Sequence, residues 1–121
     1  MIMRALLLFG LMTACIAADH TTTAVPDYAR STLTTIRQTG RAPAGYRGGT
    51  RFFDDGRDGG ATLPRVAADG SPIRYQEWDV HPWVRGVNRG AERLITGTDG
   101  SAYFTPDHYR TFIRMTPDTP P

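Results

Sequence analysis

The chain has 121 residues, with 14 arginines, no lysine, 12 acidic residues and one cysteine, for a formal charge of +2. That length suits one small domain. A lone cysteine excludes a disulfide within the chain, and so small a net charge excludes capture of nucleic acid by bulk charge alone.

Residues 1–18 read as a secretory signal peptide. Arg4 supplies a positive charge, Ala5 to Met12 is apolar apart from Gly10, and Ala14, Ala17 and Ala18 supply the small residues of a cleavage site near Ala18. The apolar run is too short to cross a bilayer as an ordinary helix. The expected product is a secreted or periplasmic domain, residues 19–121, with an ordered core over about 26–115. The alternative uses Cys15: Met12-Thr13-Ala14-Cys15 resembles a lipoprotein box and would leave the protein lipid-anchored in the envelope.

Residues 19–25 form a loose lead-in, with His20 solvated. Pro26-Asp27 opens a helix in which Ala29, Leu33 and Ile36 share one apolar stripe, and Gly40 stops it. Its threonine content makes it weak alone, so it needs a sheet to pack on. Extended structure is expected from Arg51-Phe52-Phe53. Residues 54–60 follow as a flexible loop with three acids, and order resumes at Leu63-Pro64-Arg65-Val66. Asp69-Gly70 marks a hairpin turn. Ile73 to Val80 is the strongest strand, sending Tyr75, Glu77 and Asp79 to one face and Gln76, Trp78 and Val80 to the other. Further strands are predicted over Glu92 to Thr96, Ser101 to Phe104 and Tyr109 to Met115, with a tight turn at Gly97-Thr98-Asp99-Gly100 and a frayed tail from Thr116. One helix followed by hairpin-linked strands predicts an α+β fold, the N-terminal helix packed on one face of a twisted antiparallel sheet. Glu77 belongs to the open face.

The charges are sorted along the chain. Residues 51–80 hold four arginines and six acids, whereas residues 81–115 hold five arginines and three acids. A basic region facing an acidic one suits a site that cradles a phosphate and also reads donors on a base. Glu77, the pair Arg89 and Arg93, and His108 are carried by three segments, 75–80, 89–94 and 107–112, in neighbouring candidate strands. A carboxylate can take a proton from a 2′-hydroxyl, an imidazolium can return one to the departing 5′-oxygen, and two guanidiniums can hold the phosphate between them. Taken singly, each has a plainer reading: a surface acid, a structural histidine, two ion-paired arginines. Their ordered co-occurrence favours chemistry. Asp107 either orients His108 or begins a turn. Trp83 either stacks on a base or covers the core. No metal-ligand spacing, phosphate loop or nucleophile elbow is present in the sequence.

These segments resemble the barnase-type microbial ribonucleases, small secreted enzymes that prefer guanosine. The likeness covers about residues 26–115. It includes Tyr46 and Phe53 seven apart, Leu63-Pro64, Tyr75-Gln76-Glu77-Trp78-Asp79-Val80, Arg89-Gly90-Ala91-Glu92-Arg93-Leu94-Ile95, and Tyr103-Phe104-Thr105-Pro106-Asp107-His108-Tyr109-Arg110-Thr111-Phe112. The resemblance implies Glu77 as general base, His108 as general acid, Arg89 and Arg93 as phosphate ligands, and Tyr109 against the bound base or phosphate. It implies single-stranded RNA as substrate, no cofactor or metal, no action on DNA, a monomer, and a barstar-like inhibitor as partner. One segment departs from the family. Where relatives carry Asn-Arg-Glu to read guanine, this chain has a longer loop, Asp54-Asp55-Gly56-Arg57-Asp58-Gly59-Gly60-Ala61-Thr62. Asp58 is the first substitute for that glutamate, with Asp54 and Asp55 as rivals. The competing class is a non-catalytic envelope lipoprotein or RNA-binding module on the same fold.

Overall fold

The computed structural model describes residues 24–115. The expected signal peptide, Cys15, His20 and the proline-rich tail lie outside the described residues. Helix α1 spans Asp27–Thr39. Pro26, extended at φ −62°, precedes it without a side-chain cap, and Asp27 sits in the first turn, where a negative charge complements the helix dipole. Gly40 ends it at φ 70°, its N–H donating to the Ile36 carbonyl at 2.7 Å. The threonines adapt to the helix by bonding back one turn: the Thr32 hydroxyl donates to the Tyr28 carbonyl at 2.8 Å, and Thr34, Thr35 and Thr39 do likewise. Thr32 is thereby buried with its hydroxyl satisfied, beside Ala29, Leu33 and Ile36.

Five strands form one antiparallel meander in chain order: β1 (Gly48–Phe52), β2 (Tyr75–Trp78), β3 (Arg93–Gly97), β4 (Ala102–Thr105) and β5 (Ile113–Arg114). Alternation along the strands gives the sheet two packed faces. On one face Trp78, Val80, Leu94, Ala102, Phe104 and Met115 meet the helix stripe. On the other, Leu63, Tyr75, Ile95 and Tyr103 gather with Phe52, Tyr109 and Phe112. The register of β1 on β2 shifts between Gly48 and Thr50. Gly48 is required there, because a Cβ would lie 2.8 Å from the Trp78 Cα.

Two strands, β2 and β5, are shorter than their hydrophobic patterns predict, and β3 and β4 keep their expected lengths one residue further along. The run expected over 73–80 is a strand only at Tyr75–Trp78. The first strand begins before Arg51, at Gly48. The last correction is larger. Of the strand expected from Tyr109 to Met115, only Ile113–Arg114 pairs. Asp107 causes the difference: it accepts the Thr111 N–H at 2.8 Å and the Thr111 hydroxyl at 2.7 Å, while the Thr105 hydroxyl oxygen accepts the Tyr109 N–H at 2.9 Å. This local network closes residues 105–111 into a turn, with His108 and Tyr109 at φ 56° and 69°. Arg89 likewise lies in the connection before β3 and not in the strand.

Candidate active site

Glu77 stands in the middle of β2, opposite Thr50 of β1 and Ile95 of β3. Its Oε2 accepts the Tyr109 phenol at 2.5 Å, and its Oε1 accepts the Thr50 hydroxyl at 3.3 Å. Burial and the Glu77 hydrogen bond both push the Tyr109 phenol well above its ordinary range, so it acts as a neutral donor.

Two residues further along the same face, Asp79 is buried, at 4% exposure. The Arg89 Nε donates to its Oδ2 at 2.9 Å, Arg89 Nη2 reaches Oδ1, and the Arg93 Nε lies 3.4 Å from Oδ1. The hydrogen bond to Asp79 is the largest influence on Arg89 and raises its already high pKa. Arg93 is buried at 5% exposure, and its Nη1 donates to the carbonyls of Glu92 at 2.6 Å and Gly90 at 3.1 Å. Two guanidiniums thus share one carboxylate, which fixes their planes and leaves positive charge beside Glu77.

His108 is exposed on the turn that Asp107 closes, and its backbone N–H donates to the Ala91 carbonyl at 2.9 Å. That bond ties the histidine turn to the segment carrying the arginines. Its ring lies 4.8 Å from the Tyr109 ring, centroid to centroid. Asp107 makes its side-chain bonds to Thr105 and Thr111, which settles it as the turn-former. Burial raises its pKa, but the bonds from Thr111, Thr105 and the Arg110 backbone outweigh burial and hold it below the ordinary value.

Glu77, His108 and Tyr109 line one cavity of about 290 Å³, whose opposite wall is the loop after β1. Phe53 there is 53% exposed, with the Arg51 guanidinium 4.6 Å and the Arg57 guanidinium 5.9 Å from its ring centroid. Asp55 also lines the cavity and accepts the Arg57 Nε at 2.6 Å, which holds its carboxyl below the ordinary range. Asp54 turns away into the loop: its Oδ1 accepts the Leu63 N–H at 2.6 Å, and it is no part of this cavity. The Asp58 backbone belongs to a short 3-10 turn, Arg57–Gly59, and its side chain lies outside the described residues.

The family model "ribonuclease" matches residues 12–116. The chain belongs to the ribonuclease family. No curated protein matches the sequence. Among solved structures, ribonuclease Sa2 with guanosine-2′-cyclophosphate is similar: 32% identical, with a TM-score of 0.51, covering 79% of this chain and 91% of that one. The one-helix, five-strand arrangement is the microbial ribonuclease fold.

The structure of this ribonuclease brings Glu77, His108, Tyr109 and Asp55 to one cavity, and sets Arg89 and Arg93 beside it through Asp79. Sequence reasoning left three participants unassigned: Asp79, Thr50 and Phe53. The signal for Asp79 was legible, since it lies two residues from Glu77 on the same strand face, with two arginines downstream to be paired. Thr50 had none, because its contact with Glu77 depends on the register of β1.

Proposed function

We propose that this ribonuclease is an exported, metal-independent endonuclease of single-stranded RNA that cleaves preferentially after guanosine. The carrying observation is that Glu77 and His108 line one cavity beside a guanidinium pair. Tyr109 donates to one Glu77 oxygen and leaves the other, held only by a long contact from Thr50, for the substrate. In this reading Glu77 takes the 2′-hydroxyl proton as the 2′-oxygen bonds to phosphorus. The bond from phosphorus to the 5′-oxygen breaks, and the His108 imidazolium protonates that oxygen. The product is a 2′,3′-cyclic phosphate. Water then opens it to a 3′-phosphate with the two roles exchanged. Arg89 and Arg93 meet the charge that builds on the phosphoryl oxygens, and Asp79 holds their planes in place beforehand. DNA lacks the attacking hydroxyl and is not a substrate. Residues 1–18 support export.

The guanine preference draws on Phe53, an exposed ring that a base can stack on, and on the acids of the adjoining loop. Guanine presents two adjacent donors that one carboxylate can accept. The loop is longer and richer in glycine than in relatives, so ordering it around a base costs affinity. The preference is therefore expected to be real but modest. The related ribonuclease Sa2 was solved with a guanosine cyclic phosphate, which favours the same base here.

Purified residues 19–121 would be assayed in chelator on the dinucleotides GpA, ApA and UpA. Cleavage fastest on GpA is expected, with Asp58→Ala narrowing the preference while turnover of the other two persists. Absence of any cleavage would leave a non-catalytic RNA-binding module. Equal rates on all three would remove base reading from this loop, and an unchanged preference in Asp58→Ala would move it to Asp55 or to backbone amides.

A further inference from the structure

Beyond Arg89 the surface continues into a second cavity of about 270 Å³, which shares Asp79 and Arg89 with the site above and is otherwise formed by the connection between β2 and β3. That connection is unusually apolar for an exposed loop. Trp83 is 40% exposed, Val84 53% and Val87 60%. None of the three belongs to either core. Burial in the core therefore does not account for Trp83. Its backbone N–H is tied to the Gly45 carbonyl at 2.9 Å, and the Arg47 guanidinium lies 4.2 Å from its ring centroid. The indole is thus held in place while much of it stays open to solvent. An aromatic ring with a stacked arginine, next to an arginine already facing a phosphate site, is a platform for an unpaired base. Stacking supplies the contact and the guanidiniums meet the backbone charge.

We propose that residues 81–90 form a subsite for a nucleotide beyond the cleaved dinucleotide, its base stacked on Trp83. The inference rests on the ribonuclease reading of the neighbouring site. Charge favours RNA as the occupant: Arg89 lines the cavity, Arg47 lies over the Trp83 ring and Arg85 lies in the same loop, against the single acid Asp79, which two arginines already share. Continuity favours it too. A strand held at the Arg89–Arg93 pair with one base against Phe53 must leave that pair on its far side. The cavity touches neither Glu77 nor His108, which sets its occupant apart from the groups that act on the cleaved bond.

The test compares kcat/KM on GpA with kcat/KM on ApGpApA, which adds one nucleotide at each end. The parent protein should favour the tetranucleotide. Trp83→Ala should lower that ratio by about tenfold, within the range base–aromatic stacking supplies, and Trp83→Phe should retain most of it. ApGpA and GpApA then assign the side. An unchanged ratio in Trp83→Ala, or an equal loss on GpA and ApGpApA, overturns the subsite. A binding measurement separates this from failure of the enzymatic reading. The chain has two tryptophans, and Trp78 is buried at 4% exposure. The uncleavable 2′-deoxy form of ApGpApA should therefore quench fluorescence in the parent and not in Trp83→Ala. Quenching without cleavage would sink the nuclease and keep the subsite. Cleavage without quenching would do the reverse.

Discussion

Glu77 and His108 reach the cavity by different routes, one from a paired strand and one from a hydrogen-bonded turn. Neither substitution opens a core. Glu77→Ala and His108→Ala should each lower cleavage by about 10²–10⁴-fold, the usual worth of a positioned proton-transfer group, with melting temperatures near that of the parent. In the proposed mechanism a carboxylate and an imidazolium act together, so the parent's rate should be bell-shaped in pH, and each substitution should remove one limb. Folded variants with parental rates would refute the assignment. The arginines differ from one another. Arg93 is buried, and Asp79 depends on it as one of two partners. Arg93→Ala should therefore lower kcat by about 10²–10³-fold, as loss of a transition-state donor does, and destabilise the fold as well. Arg89→Lys keeps the charge but loses the grip of Nε and Nη2 on Asp79, and should not restore full activity. Kinetics over a salt series distinguishes catalysis from steering. If both variants changed only the salt dependence, the pair would attract RNA without catalysing its cleavage.

At the scale of elements, the site is a junction of β2, the connection into β3, the turn 105–111 and the loop after β1. The last two meet at Gly60. A Cβ there would lie 2.4 Å from the Tyr109 carbonyl oxygen, and the next residue, Ala61, donates its N–H to the Arg110 carbonyl at 3.2 Å. The loop after β1 therefore rests directly on the backbone of the histidine turn. Gly60→Ala should force the two apart, costing about 1–3 kcal/mol as overpacking does, and should weaken base preference more than the rate on an unpreferred dinucleotide. Melting curves and the GpA-to-ApA ratio would check it. A parental ratio would mean that the loop reads bases independently of the turn.

At the scale of the whole molecule, the sheet carries a core on each face, and the only cysteine is Cys15, so stability rests on packing. Leu94 and Ile95, both fully buried, point to opposite cores. Leu94→Ala removes the side chain that faces the helix and should cost about 2–5 kcal/mol. For a domain of this size that corresponds to a fall in Tm of about 8 °C or more, read by circular dichroism. A fall of only a degree or two would mean that the helix-side core collapses around the gap. Reductant should not shift the transition.

The fold class was legible because its signals are local and periodic: a stripe at helical spacing in α1, alternation in β2, Asp69-Gly70 and Gly97 to Gly100 as turns. Glu77, Arg89, Arg93 and His108 were legible as the residues to test only as an ordered set in neighbouring segments, since each alone has a plainer reading. Strand ends were not, because hydrophobic alternation continues past the last ladder bond, and only the neighbouring strand decides where pairing stops. The turn at 105–111 was misread for a related reason. Its apolar residues suit a strand, and the side-chain bonds of Asp107 and Thr105 override them. Tertiary structure alone decided that Asp54 faces inward while Asp55 faces the cavity, and that Trp83 is held open beside Arg89. Each of these depends on which groups the folded backbone brings within hydrogen-bonding or stacking distance, across gaps in sequence that no local pattern encodes.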